Sequence, residues 1–140
     1  MATTKPKKRI TVQSGKAKGR NLQKLVRDKI LSLSDTFRDG DVVSTSMGAS
    51  GEDVKLSPYV RDILPVSFEC KANKAFAVYS IIEQCKSNTP DGCQPVVVLK
   101  GDYKKPVAVI DLDYYFYLEA KRMEMEDTYG NPRTRPLVGN

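Results

Sequence analysis

The sequence predicts an α/β domain in which helices flank a central mixed sheet. Three observations carry that reading. Apolar residues recur at helical spacing in two long segments, strict alternation runs over residues 65–71, and an unbroken apolar run occupies residues 95–99. The order is helix, two or three strands, helix, then two strands, which suits a sheet with helices against it.

Leu22, Leu25, Val26, Ile30 and Leu33 place an apolar stripe on one face of a first helix beginning near Arg20. Polar residues 34–41, with Gly40, end it. Val42, Val43 and Thr45 suit a short strand. A bend at Gly48, Ser50 and Gly51 leads into a second strand at 52–56. Ser57 as cap and Pro58 in the first turn predict a brief helix containing Tyr59, Val60 and Ile63, closed by Pro65. In the strand that follows, Val66, Phe68 and Cys70 face one way, and Ser67, Glu69 and Lys71 the other. A second long helix over 75–85 buries Phe76, Val78, Tyr79, Ile82 and Cys85, with Tyr79 at the edge. Residues 95–99 form a buried strand, and 107–110 a strand after the Gly101-Asp102 turn. From Tyr114 an aromatic segment forms a final helix through Met125 that packs or mediates an interface. The expected organisation is a basic flexible arm over 1–18, one domain over 19–127 and a loosely ordered tail over 128–140.

A chain of 140 residues, 40% apolar, fits one compact core. Its 23 basic and 17 acidic residues give +6, and ten of the basic ones precede residue 30, against a single acid, Asp28. That asymmetry favours a polyanion, either nucleic acid or an anionic membrane surface. Lys5, Lys7, Lys8 and Arg9 suit phosphate contacts that fix no sequence, and Lys16, Lys18, Arg20 and Lys74 extend the same field. A basic solubilising tail is the plainer account of any one of them. No run reaches the roughly 20 apolar residues of a membrane span, and the start lacks a secretion signal, so a cytoplasmic location is expected. The chain has no histidine, which excludes Cys/His zinc clusters and Ser-His-Asp catalysis within it. Cys70, Cys85 and Cys93 show no close pairing and read as buried or partly buried free thiols.

The residues able to do chemistry are Asp53, Glu69 and Lys71. Two positions apart on a strand, Glu69 and Lys71 share a side and can approach one phosphate. Glu69 offers Mg2+ a hard oxygen, the Cys70 backbone carbonyl a second, and Asp53 on the neighbouring strand a third. Magnesium fills its remaining positions with water and phosphate. Lys71 can orient a nucleophilic water or stabilise charge on the phosphate. The competing reading is a solvent-facing Glu69–Lys71 ion pair with no catalytic role. Asp111 and Asp113 precede an aromatic run and suit packing better than a second metal site.

The segments 50–54 and 64–71 resemble the core of the PD-(D/E)xK nuclease superfamily, particularly small bacteriophage members and archaeal-type Holliday junction resolvases. The likeness follows element order from about Gly19 to Tyr117 and is sharp between Ser50 and Gln84. It implies a restriction-endonuclease-like core with Asp53 as the motif aspartate, Glu69 as its second acid and Lys71 as its lysine. Gln84 resembles the glutamine often found on the following helix, which positions the lysine, water or DNA backbone. The implied activity is Mg2+-dependent cleavage of Holliday junctions or other branched DNA during recombination, with Mn2+ able to substitute. The implied assembly is a homodimer, in the host cytoplasm if the protein belongs to a bacteriophage. Many relatives also carry a glutamate on the first helix. Residues 19–23 hold no acid, so one metal suffices, Asn21 or Gln23 substitutes weakly, or Glu52 enlarges the site. The stretch 57–64 is an insertion that flanks the cleft or simply connects strands. A DNA-processing nuclease without junction preference and an inactive DNA-binding protein are the alternatives.

Overall fold

The computed structural model describes residues 12–45 and 50–129. Two units are distinguished, residues 1–109 and 110–140. In the first, the order is α1 (Val12–Leu31), a 3-10 turn (Asp39–Asp41), β1 (Val42–Ser44), β2 (Val54–Leu56), α2 (Pro58–Ile63), β3 (Val66–Ala72), α3 (Val78–Asn88), β4 (Gln94–Lys100) and β5 (Val107–Val109). The strands form one mixed sheet in the order β1-β2-β3-β4-β5, parallel only between β3 and β4. A parallel pair needs a long crossover, and α3 supplies it.

Register and alternation assign the two faces. Glu69 pairs with Val97 and Lys71 with Leu99, while Val97 also pairs with Val109. Ile81 and Cys85 of α3 pack on Val97 and Leu99, with Phe76, Val78, Ile82 and Val109 around them. The Cys85 thiol donates to the Ser67 carbonyl at 3.6 Å. Alternation puts Val42, Val54, Leu56, Val66, Cys70, Val96 and Val98 on the opposite face. There α1, burying Leu22, Val26 and Ile30, packs against β1, β2 and β3. Covered on both faces, β4 is apolar at every position from Val96 to Leu99.

Several expectations need correction. The first helix starts at Val12, so residues 12–18 are helical and Lys16 and Lys18 sit on a helix instead of in an arm. Leu25 is 38% exposed and Leu33 lies beyond the helix end, because the buried stripe is the narrower 22/26/30 row. In α3, Ile81 is buried and Tyr79 is exposed, since the buried row is 81/85. The strand at 52–56 shortens to 54–56, leaving Asp53 just before it. The cap of α2 forms as expected, the Ser57 hydroxyl accepting from the Val60 N–H at 3.3 Å. Cys70 and Cys85 are buried free thiols and Cys93 is a half-buried one.

In the second unit, α4 (Leu112–Tyr129) starts two residues before the expected Tyr114 and runs past both Met125 and the expected domain end at 127. Arg122 bridges Glu119 and Glu126, each at 2.9 Å, one turn away on either side. Leu112, Tyr115, Phe116, Tyr117, Leu118, Met123 and Met125 are all exposed, so the aromatic run is not core. Among the described residues no helix is long and apolar enough to cross a membrane.

The β4–β5 turn carries a strained residue. Lys104 N–H donates to the Gly101 carbonyl at 3.2 Å, and Tyr103, third in that turn, has φ +59°. Glycine or asparagine favours such a position. Tyr103→Gly is expected to stabilise the fold by about 1 kcal/mol, read as a higher thermal midpoint. An unchanged or lower midpoint would show that the turn is not under strain.

Candidate functional site

The β2–β3 register sets Val54 opposite Phe68. Carried one residue further, it sets Asp53 opposite Glu69, on the face that α3 covers. Three bonds hold the Asp53 backbone. Its carbonyl accepts from the Thr45 N–H at 2.9 Å and from the Thr45 hydroxyl at 3.1 Å. Its own N–H reaches the Phe68 carbonyl at 3.4 Å. Gly51, at φ +93°, turns the chain into this position, a conformation that favours glycine. The Asp53 side chain then takes over where the β2 ladder ends, with Oδ2 accepting from the Cys70 N–H at 2.7 Å. A strand residue points its N–H and C=O to the same side, so the Cys70 carbonyl also faces the Asp53 side of β3.

Glu69 is 2% exposed and Lys71 half-buried, with Lys71 Nζ 3.4 Å from Glu69 Oε1. The expectation of a solvent-facing pair therefore fails for the acid, because α3 roofs its face of the sheet. Asp53 and Glu69 are hydrogen-bonding neighbours, and both resist ionisation. Burial raises the Asp53 pKa, while the Cys70 N–H and the Lys71 ammonium oppose the rise. Burial likewise raises Glu69, the adjacent Asp53 carboxylate raises it further, and Lys71 pulls it back. Burial also raises the Cys70 thiol, and the two acids add to the effect. That thiol stays protonated, so the oxygen Cys70 can offer an ion is its backbone carbonyl.

These groups open into a cleft of about 560 Å³ between the first half of α1 and the end of α3. Asp53, Glu69, Cys70, Lys71 and Gln84 all line it, so the structure brings together every catalytic and metal-binding position expected from the sequence. Gly15, Gly19 and Gln23 line it from α1, one residue per turn. Ser87 and Asn88 join Gln84 from α3 at offsets of three and four. Sequence reading missed Ser87, Asn88 and the two glycines. The available signal was Gly15 and Gly19 four apart inside a helix, each weakening it by about 1 kcal/mol relative to alanine. A Cβ at Gly15 would meet no atom within 4 Å, so packing within the protein does not demand glycine there.

Of the stand-ins considered for a first-helix acid, Gln23 is 3% exposed and lines the cleft. Asn21 lines a different hollow. Glu52 is engaged by Arg61 at 2.7 Å and does not line the cleft. The insertion 57–64 behaves as a connector: Tyr59 bonds Thr36 at 2.7 Å and packs edge-on against Phe37, and none of its residues lines the cleft. Among the expected phosphate contacts, Lys16, Arg20 and Lys74 are exposed, and Lys18 pairs with Asp102 at 2.7 Å. Lys74 lines the neighbouring hollow and not the acidic cleft. Lys5, Lys7, Lys8 and Arg9 lie outside the described residues.

The donor set fits a hard divalent cation. Two adjacent carboxyls are the number of acid side chains with which magnesium is commonly held beside a phosphate substrate. Among the described residues no group of three or more His, Cys, Asp or Glu converges, so any further ligands must be carbonyl, water or substrate oxygens. Comparisons with family models, curated proteins and solved structures find no match.

Proposed function

We propose that this chain is a Mg2+-dependent endodeoxyribonuclease acting on Holliday junctions or other branched DNA. The observation that supports it most is the convergence of Asp53, Glu69 and Lys71 in one open cleft, with Gln84 on its wall. A buried Glu69 beside a half-buried Asp53, both with pKa values raised first by burial and Glu69 further by the Asp53 charge, weakens the metal-free fold, an arrangement more typical of sites than of scaffolding. The resemblance to PD-(D/E)xK nucleases assigns the same residues.

Asp53 and Glu69 would hold the cation, with the Cys70 carbonyl as a further oxygen. When bound, the ion polarises the scissile phosphate and lowers the pKa of a water beside it. Lys71 orients that water and offsets charge gathering on the phosphate oxygens. Gln84 holds the DNA backbone or the lysine in place. Lys16, Lys18, Arg20 and Lys74, with the basic residues before Val12, attract phosphates without reading sequence. The exposed apolar side chains of α4 supply a surface for a homodimer.

One observation favours an inactive DNA-binding protein instead: Gln23 lines the cleft from the helix on which relatives place an acid. Cleavage of a four-way junction and a matched linear duplex, with Mg2+ or Mn2+, separates the readings. Selective junction cutting is expected. Equal cutting of both substrates leaves a nuclease without junction preference, and no cutting leaves the binding protein.

A further inference from the structure

We propose that the β4–β5 hairpin is a second DNA contact, with the Tyr103 ring stacking on an unpaired base and lysines holding the phosphates beside it. The inference rests on the reading of the chain as a DNA enzyme and specifies what its substrate must expose. Tyr103 is fully exposed, and the chain places it at φ +59° to hold it there. A non-glycine residue in that region points to a role outside folding. Asp102, one residue earlier, takes the Lys18 ammonium at 2.7 Å and ties the turn to α1, so the ring stands on an anchored base.

Asp102 apart, the charged groups around the ring are lysines. Lys104 and Lys105 follow it and are exposed, while Lys74 and Lys100 stand near Asp102 and, with Lys18, hold its carboxyl below the ordinary range. A hollow of about 570 Å³ opens between the turn and α1, with Leu22 and Leu25 giving it an apolar wall. This hollow shares Ala72 with the acidic cleft, so the two adjoin across the end of β3. A protein partner would call for an apolar core of several side chains, whereas here one aromatic ring stands among cations. Aromatic stacking flanked by cations is how single-stranded nucleic acid is held. A continuous duplex covers its base faces, so the hairpin selects DNA with unpaired nucleotides near a branch.

The test uses the full chain without divalent metal. The DNA is a forked duplex carrying 2-aminopurine in its unpaired arm, compared with a fully paired duplex of matched length. Wild type is expected to prefer the fork and to quench the analogue's fluorescence. Tyr103→Ala should lose the quench and bind the fork about tenfold more weakly, with duplex affinity unchanged. Tyr103→Phe should retain both. Thermal melting verifies each variant's fold, which an exposed side chain leaves intact. Wild-type affinity for the fork no greater than for the duplex overturns the proposal, as does equal loss on both substrates or none in Tyr103→Ala. Parallel Mg2+ assays keep the two readings apart. Quenching without cleavage sinks only the nuclease assignment, and cleavage with no fork-specific loss in Tyr103→Ala sinks only the hairpin.

Discussion

Glu69→Ala is expected to reduce Mg2+-dependent DNA cleavage by about a thousandfold or more while DNA affinity changes little. The substitution removes one of the two carboxyls that converge in the cleft, so the ion loses occupancy or position. Binding persists because the cations that attract phosphate lie elsewhere: Lys16 and Arg20 are exposed on α1, and Lys74 is exposed beyond β3. Without metal, affinity rises slightly, since one negative charge beside the DNA backbone has gone. Asp53→Ala follows the same pattern with an added structural cost, because the Cys70 N–H loses its 2.7 Å acceptor. Lys71→Ala should leave metal binding intact and slow the chemical step alone. Cleavage rates and equilibrium binding on one junction substrate, with folding verified for each variant, check all three. A folded Glu69→Ala protein that cuts at the wild-type rate removes Glu69 from the site.

Much of this arrangement is legible in the amino-acid sequence. Alternation from Val66 to Lys71 fixed which side chains share a face, and the run from Val96 to Leu99 marked the strand buried on both sides. Local chemistry located α2, whose Ser57 and Pro58 signal a helix start wherever they occur together. What alternation alone missed was the covering of the polar face. Ser67 and Glu69 look solvent-directed in a strand, yet α3 closes over them, an effect of tertiary packing that no local pattern contains. The early start of α1 was hidden for a related reason. Residues 12–18 lack a continuous apolar row and include Gly15, so their helicity depends on extending a helix that Leu22, Val26 and Ile30 anchor. The glycine-lined wall of the cleft follows from that extension and was invisible with it. Tyr103 was passed over because a lone aromatic beside lysines has no periodicity to betray it.

Stability should depend on pH and magnesium in opposite senses at this site. Asp53 and Glu69 both have folded-state pKa values raised above their ordinary 3.8 and 4.5, first by burial. A raised folded pKa contributes stability that is complete below the unfolded value and is lost as pH rises through the folded one. The metal-free protein therefore loses stability from this pair as pH climbs from about 4 toward neutrality, and the loss ends once both carboxyls are ionised. A divalent cation binds the ionised pair, so it restores what deprotonation removes. At a hundred times its Kd, Mg2+ adds about 2.7 kcal/mol. As pH falls through the raised folded values, protons displace the ion and that gain is lost. Glu69→Gln keeps the shape of the side chain and deletes its charge. It should raise metal-free stability near neutral pH, flatten the pH dependence and abolish the magnesium-induced rise in thermal midpoint. Melting curves of wild type and Glu69→Gln, with and without Mg2+ at several pH values, measure all of this. A wild-type midpoint that ignores magnesium at every pH would mean that the two carboxyls do not hold the ion.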